Sequence, residues 1–213
     1  MQPELIEIIF TLAILVLSII VHEVAHGYAA NSLGDPTAKL QGRLTLNPIP
    51  HIDPIGSILI PGALILSSAG VFFGWAKPVP YNPYNLRSQR WGEAIVASAG
   101  AVTNLTLALI FGLIVRFGVG TLPLPFLELS ATICAMNLFL GIFNLIPIPP
   151  LDGFTVLRGL LPYRLGSRLQ EFEERMRAGG ILTLILILFA FSYLFAGYFV
   201  AFIGTIFSLI TGV

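Results

Sequence analysis

The pentapeptide His22-Glu23-Val24-Ala25-His26 carries the clearest chemistry in this sequence. On a helix, positions i and i+4 lie about 40° apart on one face, so both imidazoles can reach one ion. Zinc accepts imidazole nitrogen and, in a catalytic site, keeps one position open for water. Glu23, beside the first histidine, suits a general base that takes a proton from such a water. The spacing alone can also arise by accident. A third protein ligand has to come from elsewhere, and the other acid flanked by a long apolar stretch is Asp152. Two readings stand for it: a ligand beside His22 and His26, or the N-cap of a helix starting at Gly153. Asn104 lies within a charge-free stretch, where an amide needs partners and so faces the protein interior or a wet cavity. His51 and Asp53 form a further pair, but their i, i+2 spacing in a proline-bounded loop makes no ligand face; loop hydrogen bonding is the simplest role for them.

The elements that must position these groups are written in the composition. Of 213 residues, 56% are hydrophobic and 10% charged, and mean hydropathy is +0.89. Soluble domains are near a quarter charged, so this chain belongs in lipid. Glu23 apart, no Asp, Glu, Lys or Arg occurs in 8–34, 54–76, 94–115, 129–151 or 178–213. Each window reaches the roughly 20 residues a spanning helix needs. An ionisable group in such a helix is expensive and points to function, which strengthens the reading of the pentapeptide. Zero net charge, with no basic stripe, argues against nucleic acid. Cys134, the single cysteine, sits in an apolar run and reads as a small buried hydrophobe. The N-terminus opens with Glu4 and Glu7 where a signal peptide would carry Lys or Arg, so the first helix is expected to stay.

The fold class expected is an all-α polytopic membrane protein with about 4–6 membrane segments, one of them re-entrant, and a short β or extended loop. A single membrane domain over 1–213 is expected, with a core at about 5–160 and an apolar helix or hairpin at 181–213. Helices are predicted at 5–30, 94–115 and 127–145. Residues 40–46 alternate as a short strand would, 153–177 are amphipathic with five arginines, and 181–210 form one helix or a hairpin broken near Gly197. The arginines, interleaved with Glu171, Glu173 and Glu174, read as a solvated face at the headgroups. Prolines at 147, 149 and 150 leave an extended 144–151 strip, whose edge could pair with a substrate strand. Lys and Arg favour the cytoplasmic side. They number none in 1–7, two in 37–43, three in 77–90, none in 118–127 and five in 158–177. Keeping 37–43 and 77–90 on one side requires 55–75 to re-enter and return. Asp152 then lies on the side of the histidines.

His22-Glu23-x-x-His26, followed far downstream by Asn144 and Leu151-Asp152-Gly153, resembles the site-2 protease family of intramembrane zinc metalloproteases. Ala99-Gly100-Ala101-Val102-Thr103-Asn104 is similar to that family's middle-helix Ala-Gly-Pro-x-x-Asn, with Ala101 where proline is usual. Gly42 to Pro48, His51 to Gly56 and Phe73 to Pro80 resemble a compact bacterial and archaeal subgroup. The resemblance covers about 10–160. It implies one zinc ion held by His22, His26 and Asp152, with Glu23 as base and hydrolysis of membrane-protein or peptide substrates in or near the bilayer. It also implies that Asn104 orients the attacking water or stabilises the oxyanion, and that Asn144 holds substrate backbone. Relatives often carry PDZ or CBS domains, for which this chain has no room. The expected location is the prokaryotic cell membrane, multi-pass, with the site toward the cytoplasm. A metal transporter or metal-binding scaffold using the same three ligands is the alternative.

Overall fold

The computed structural model of the chain describes residues 3–59, 76–88 and 91–213. Its helices run in the order α1 (Pro3–Ser32), α2 (Thr37–Leu40), α3 (Trp91–Gly118), α4 (Leu124–Asn144), α5 (Asp152–Leu160), α6 (Tyr163–Ala178) and α7 (Gly180–Thr211). Among the described residues there is no strand. Four stretches among the described residues are long and apolar enough to cross a membrane: Ile8–Ser32, Trp91–Gly118, Leu124–Asn144 and Tyr193–Thr211. The chain is an all-α polytopic membrane protein.

Burial in α3 is inverted relative to a soluble helix. Its buried residues are mostly small (Ala94, Ala97, Gly100, Ala101, Ala108 and Gly112, beside Val96, Asn104 and Val115), whereas Ile95, Val102, Leu109, Ile110 and Phe117 are exposed. Lipid tails are as apolar as leucine, so large side chains gain nothing by turning inward; small residues let backbones approach instead. This face places α3 between α1 and α4.

α1 stops where its sequence stops it. Gly34 takes a left-handed φ of 108°, the Gly34 N–H donates to Asn31 O, and the Asp35 N–H donates to Ala30 O at 2.9 Å. This is a Schellman closure, and Pro36 follows it. The buried Asp35 carboxylate then ties the exit down, accepting from the Thr37 hydroxyl, the Asn82 N–H (2.6 Å) and the Asn85 amide (2.9 Å). The Arg87 N–H donates to Leu33 O at 2.9 Å. The end of α1 and the approach to α3 therefore meet at one end of the bundle. The expected re-entry of 55–75 falls mostly on 60–75, outside the described residues; 54–59 form a π-helical stretch.

Two expectations change and two are made definite. The alternation over 40–46 is not a strand. Gly42 turns at φ 65°, and Arg43 points inward to donate to the carbonyls of Lys77 and Pro78. The amphipathic 153–177 stretch is two helices, α5 and α6, because Pro162 holds Leu161 extended (ψ 155°) and cannot continue the ladder. Of the two forms expected for 181–210 the single helix holds, since α7 runs unbroken over Gly180–Thr211. Lastly, 145–151 is a run of turns. The N–H groups of Leu145, Ile146, Ile148 and Leu151 all donate to carbonyls two or three residues back, and the prolines have none to give. No donor edge is left for a substrate strand.

Candidate metal centre

α1 presents a stripe at i+4 intervals: Ile14, Ser18, His22, His26 and Ala30 are all buried. α3 answers it with a stripe of the same period, Val96, Gly100 and Asn104. The His26 Nδ1 donates to the Val96 carbonyl at 2.7 Å, and the His22 Nδ1 lies 3.0 Å from Asn104 Oδ1. The helices are thus antiparallel, and both imidazoles turn Nε2 the same way. Gly100 makes room, because a Cβ there would lie 2.6 Å from the His22 ring.

Asp152 completes the group. It is the first residue of α5, whose N-cap is Leu151 with no side-chain cap bond, so the capping role is set aside. Its Oδ2 lies 2.9 Å from His22 Nε2 and 3.3 Å from His26 Nε2. Gly153 permits this approach, since a Cβ there would meet the backbone of Leu145 and Ile146. α5 is also pinned by Arg158, which pairs with Glu93 of α3 and, at 3.3 Å, with Glu173 of α6. Arg158 and Glu173 are therefore largely buried, whereas Arg164, Arg168, Glu171, Glu174 and Arg175 are exposed, as expected of a solvated face.

The donor set fits a zinc ion. One ligand atom from each of His22, His26 and Asp152 falls within 4.8 Å of the others. A carbonyl only accepts, so His26 Nδ1 carries the hydrogen and a neutral ring offers its Nε2 lone pair inward. Two imidazole lone pairs and a carboxylate cannot share such a space without positive charge among them. Burial pushes the Asp152 carboxyl up, but the hydrogen bonds and charge of the imidazoles hold it at about 2.

Glu23 stands outside the three-ligand group. Its Oε2 accepts from the Val79 N–H at 2.8 Å, which fixes the carboxylate against the 76–88 segment. Asn104, fully buried, has both ends of its amide engaged, with Oδ1 on His22 and Nδ2 on Asn137 Oδ1 at 3.2 Å. It sits on the Nδ1 side of His22, opposite the Nε2 that faces Asp152. Asn144 turns its Nδ2 back to Leu140 O in its own helix. His51 is buried in the loop, bonded to Thr45 O, and Asp53 accepts from the Ile55 and Gly56 N–H groups, as loop residues do. Sequence reading missed Asn137, which the signal that found Asn104, an amide in a charge-free run, could have found. The Val79 N–H and Val96 carbonyl carry no side-chain signal.

Comparison with known proteins adds an independent line. A family profile described as Peptidase family M50 matches residues 121–191. The chain is 41% identical over 167 residues to the candidate zinc metalloprotease YwhC of Bacillus subtilis, covering 75% of this chain and 73% of that protein. It is 28% identical over 181 residues to the candidate zinc metalloprotease Rip2 of Mycolicibacterium smegmatis, covering 81% and 63%. With the zinc metalloprotease MJ0392 of Methanocaldococcus jannaschii it shares 26% identity over 179 residues, covering 83% and 41%. The chain thus spans less than two thirds of the last two relatives. No solved structure matches it.

Proposed function

Since this chain belongs to peptidase family M50 and is a zinc metalloprotease of membrane helices, we propose that it cuts membrane-protein substrates at the membrane, with one zinc ion per chain. The observation that carries this reading is the placing of His22, His26 and Asp152 around one point, with two of the three on a membrane-competent helix. His22 and His26 would hold the ion through Nε2 and Asp152 through Oδ2. When bound, zinc supplies Lewis-acid polarisation of the scissile carbonyl and makes water a nucleophile near neutral pH. Glu23 takes the proton from the attacking water and delivers it to the leaving amide nitrogen. The Val79 N–H holds the Glu23 carboxylate in one orientation through this exchange. Asn104 acts on His22 from behind, as a positioning residue.

Orientation follows from charge. Lys39, Arg43, Lys77, Arg87 and the arginines of α5 and α6 cluster toward the site end of the bundle, which supports a site facing the cytoplasm. Purified enzyme with a membrane-protein substrate tests the whole reading. Glu23→Gln should lose about 10²–10⁴-fold in cleavage while retaining zinc. Equal cleavage by that variant would overturn the assignment.

A further inference from the structure

The polar contacts behind His22 do not stop at Asn104. Asn104 Nδ2 donates to Asn137 Oδ1 at 3.2 Å, and Asn137 Nδ2 donates to both Ser18 Oγ and the Ile133 carbonyl at 2.9 Å. Ser18 lies one helical turn before His22 on α1, so the bonds form a ring through α3 and α4 and back to α1. Asn104, Asn137 and Ser18 are 0%, 1% and 5% exposed. In a lipid-surrounded bundle no water competes for these groups, and each would be costly if unpaired.

The ring has a direction. The Ile133 carbonyl can only accept, so Asn137 must turn its NH₂ toward it and its oxygen toward Asn104. Asn104 then offers NH₂ to Asn137 and oxygen to His22. Nδ1 of His22 must therefore carry the hydrogen, and Nε2 keeps its lone pair for the metal. His26 reaches the same state in one step, from the Val96 carbonyl. Each histidine is thus referred to a backbone carbonyl, directly for His26 and through two amides for His22.

We propose that Asn137 and Ser18 are positioning residues for zinc, setting the tautomer and ring orientation of His22 through Asn104. The proposal rests on the ligand assignment above. Its test is zinc affinity of the full-length protein in detergent, by competition with a chromophoric chelator, together with the visible spectrum of the cobalt-substituted form. Asn137→Leu should weaken zinc about 10–100-fold and change the cobalt bands. Because Asn137 acts through Asn104, Asn104→Leu/Asn137→Leu should lose no more than Asn104→Leu alone. Ser18→Ala should lose several-fold and Ser18→Thr should recover it, a pair that carries the test with no amide removed if Asn137→Leu does not fold. Wild-type affinity in both Asn137→Leu and Ser18→Ala, or losses that multiply in the double variant, would overturn the proposal. Undiminished zinc binding by His22→Ala would instead sink the ligand assignment, and the proposal with it.

Discussion

α1 and α7 are near equals in length, 30 and 32 residues, and each contains a membrane-competent span. Their surroundings differ sharply. The α1 span is 22% buried and the α7 span 6%. The inward residues of α1 recur every four positions and include Ser18, His22 and His26, whereas α7 buries only Thr211 among its described side chains. Phe189, Tyr193, Leu194 and Tyr198 on α7 are exposed. Apolar content does not decide which helix is enclosed. Polar groups that need partners do, because lipid offers none and neighbouring helices must.

The same small substitution should give opposite results in the two environments. Gly100→Ala faces the α1 stripe and would drive a methyl to 2.6 Å from the His22 ring. Zinc affinity should fall about 100-fold, the upper end of what losing a ligand's orientation costs; normal affinity would mean that α3 does not press on His22. A middle-sized effect is expected where α1 leaves the bundle. Burial alone would raise the Asp35 carboxyl, but hydrogen bonds from Thr37, Asn85 and Asn82 hold it below its usual value. A lowered folded pKa means the stability it contributes is fully present above about pH 4 and is lost as pH falls through the folded value. The thermal midpoint of the wild type in detergent should therefore fall more between pH 5 and pH 3, both approximate, than that of Asp35→Asn. The smallest effect belongs to α7. A Cβ at Gly197 meets nothing within 4 Å, so Gly197→Ala should leave zinc affinity unchanged and stabilise by about 0.5 kcal/mol. A clear loss there would show that α7 is enclosed after all.

Much of this arrangement was legible in the chain. His22, Glu23 and His26 stood out because such groups are costly within an apolar run, and Gly34-Asp35-Pro36 announced the end of α1. Asn104 was legible as an inward-facing amide in a charge-free run, whereas the small residues at 97, 100, 101, 108 and 112 that line the same face of α3 were not picked out. What misled was pattern without context. The alternation at 40–46 reflects Arg43 turning in to the carbonyls of Lys77 and Pro78, a tertiary cause that mimics strand periodicity. Prolines at 147, 149 and 150 implied an open backbone, yet the four remaining N–H groups of that stretch all donate to carbonyls two or three residues back, two of them at the end of α4. Pro162 divides α5 from α6, but the amphipathic pattern runs through it in both helices.

The hold on Glu23 comes from the main-chain N–H of Val79, between Pro78 and Pro80. Every amino acid except proline brings that same donor, so selection for it leaves no trace in the identity of residue 79. A mutational scan read through side chains alone would score the position by volume, where its neighbour Gly27 leaves little space, and would miss the chemistry. Only a change to the backbone itself, such as an ester in place of that amide, would expose what the position contributes.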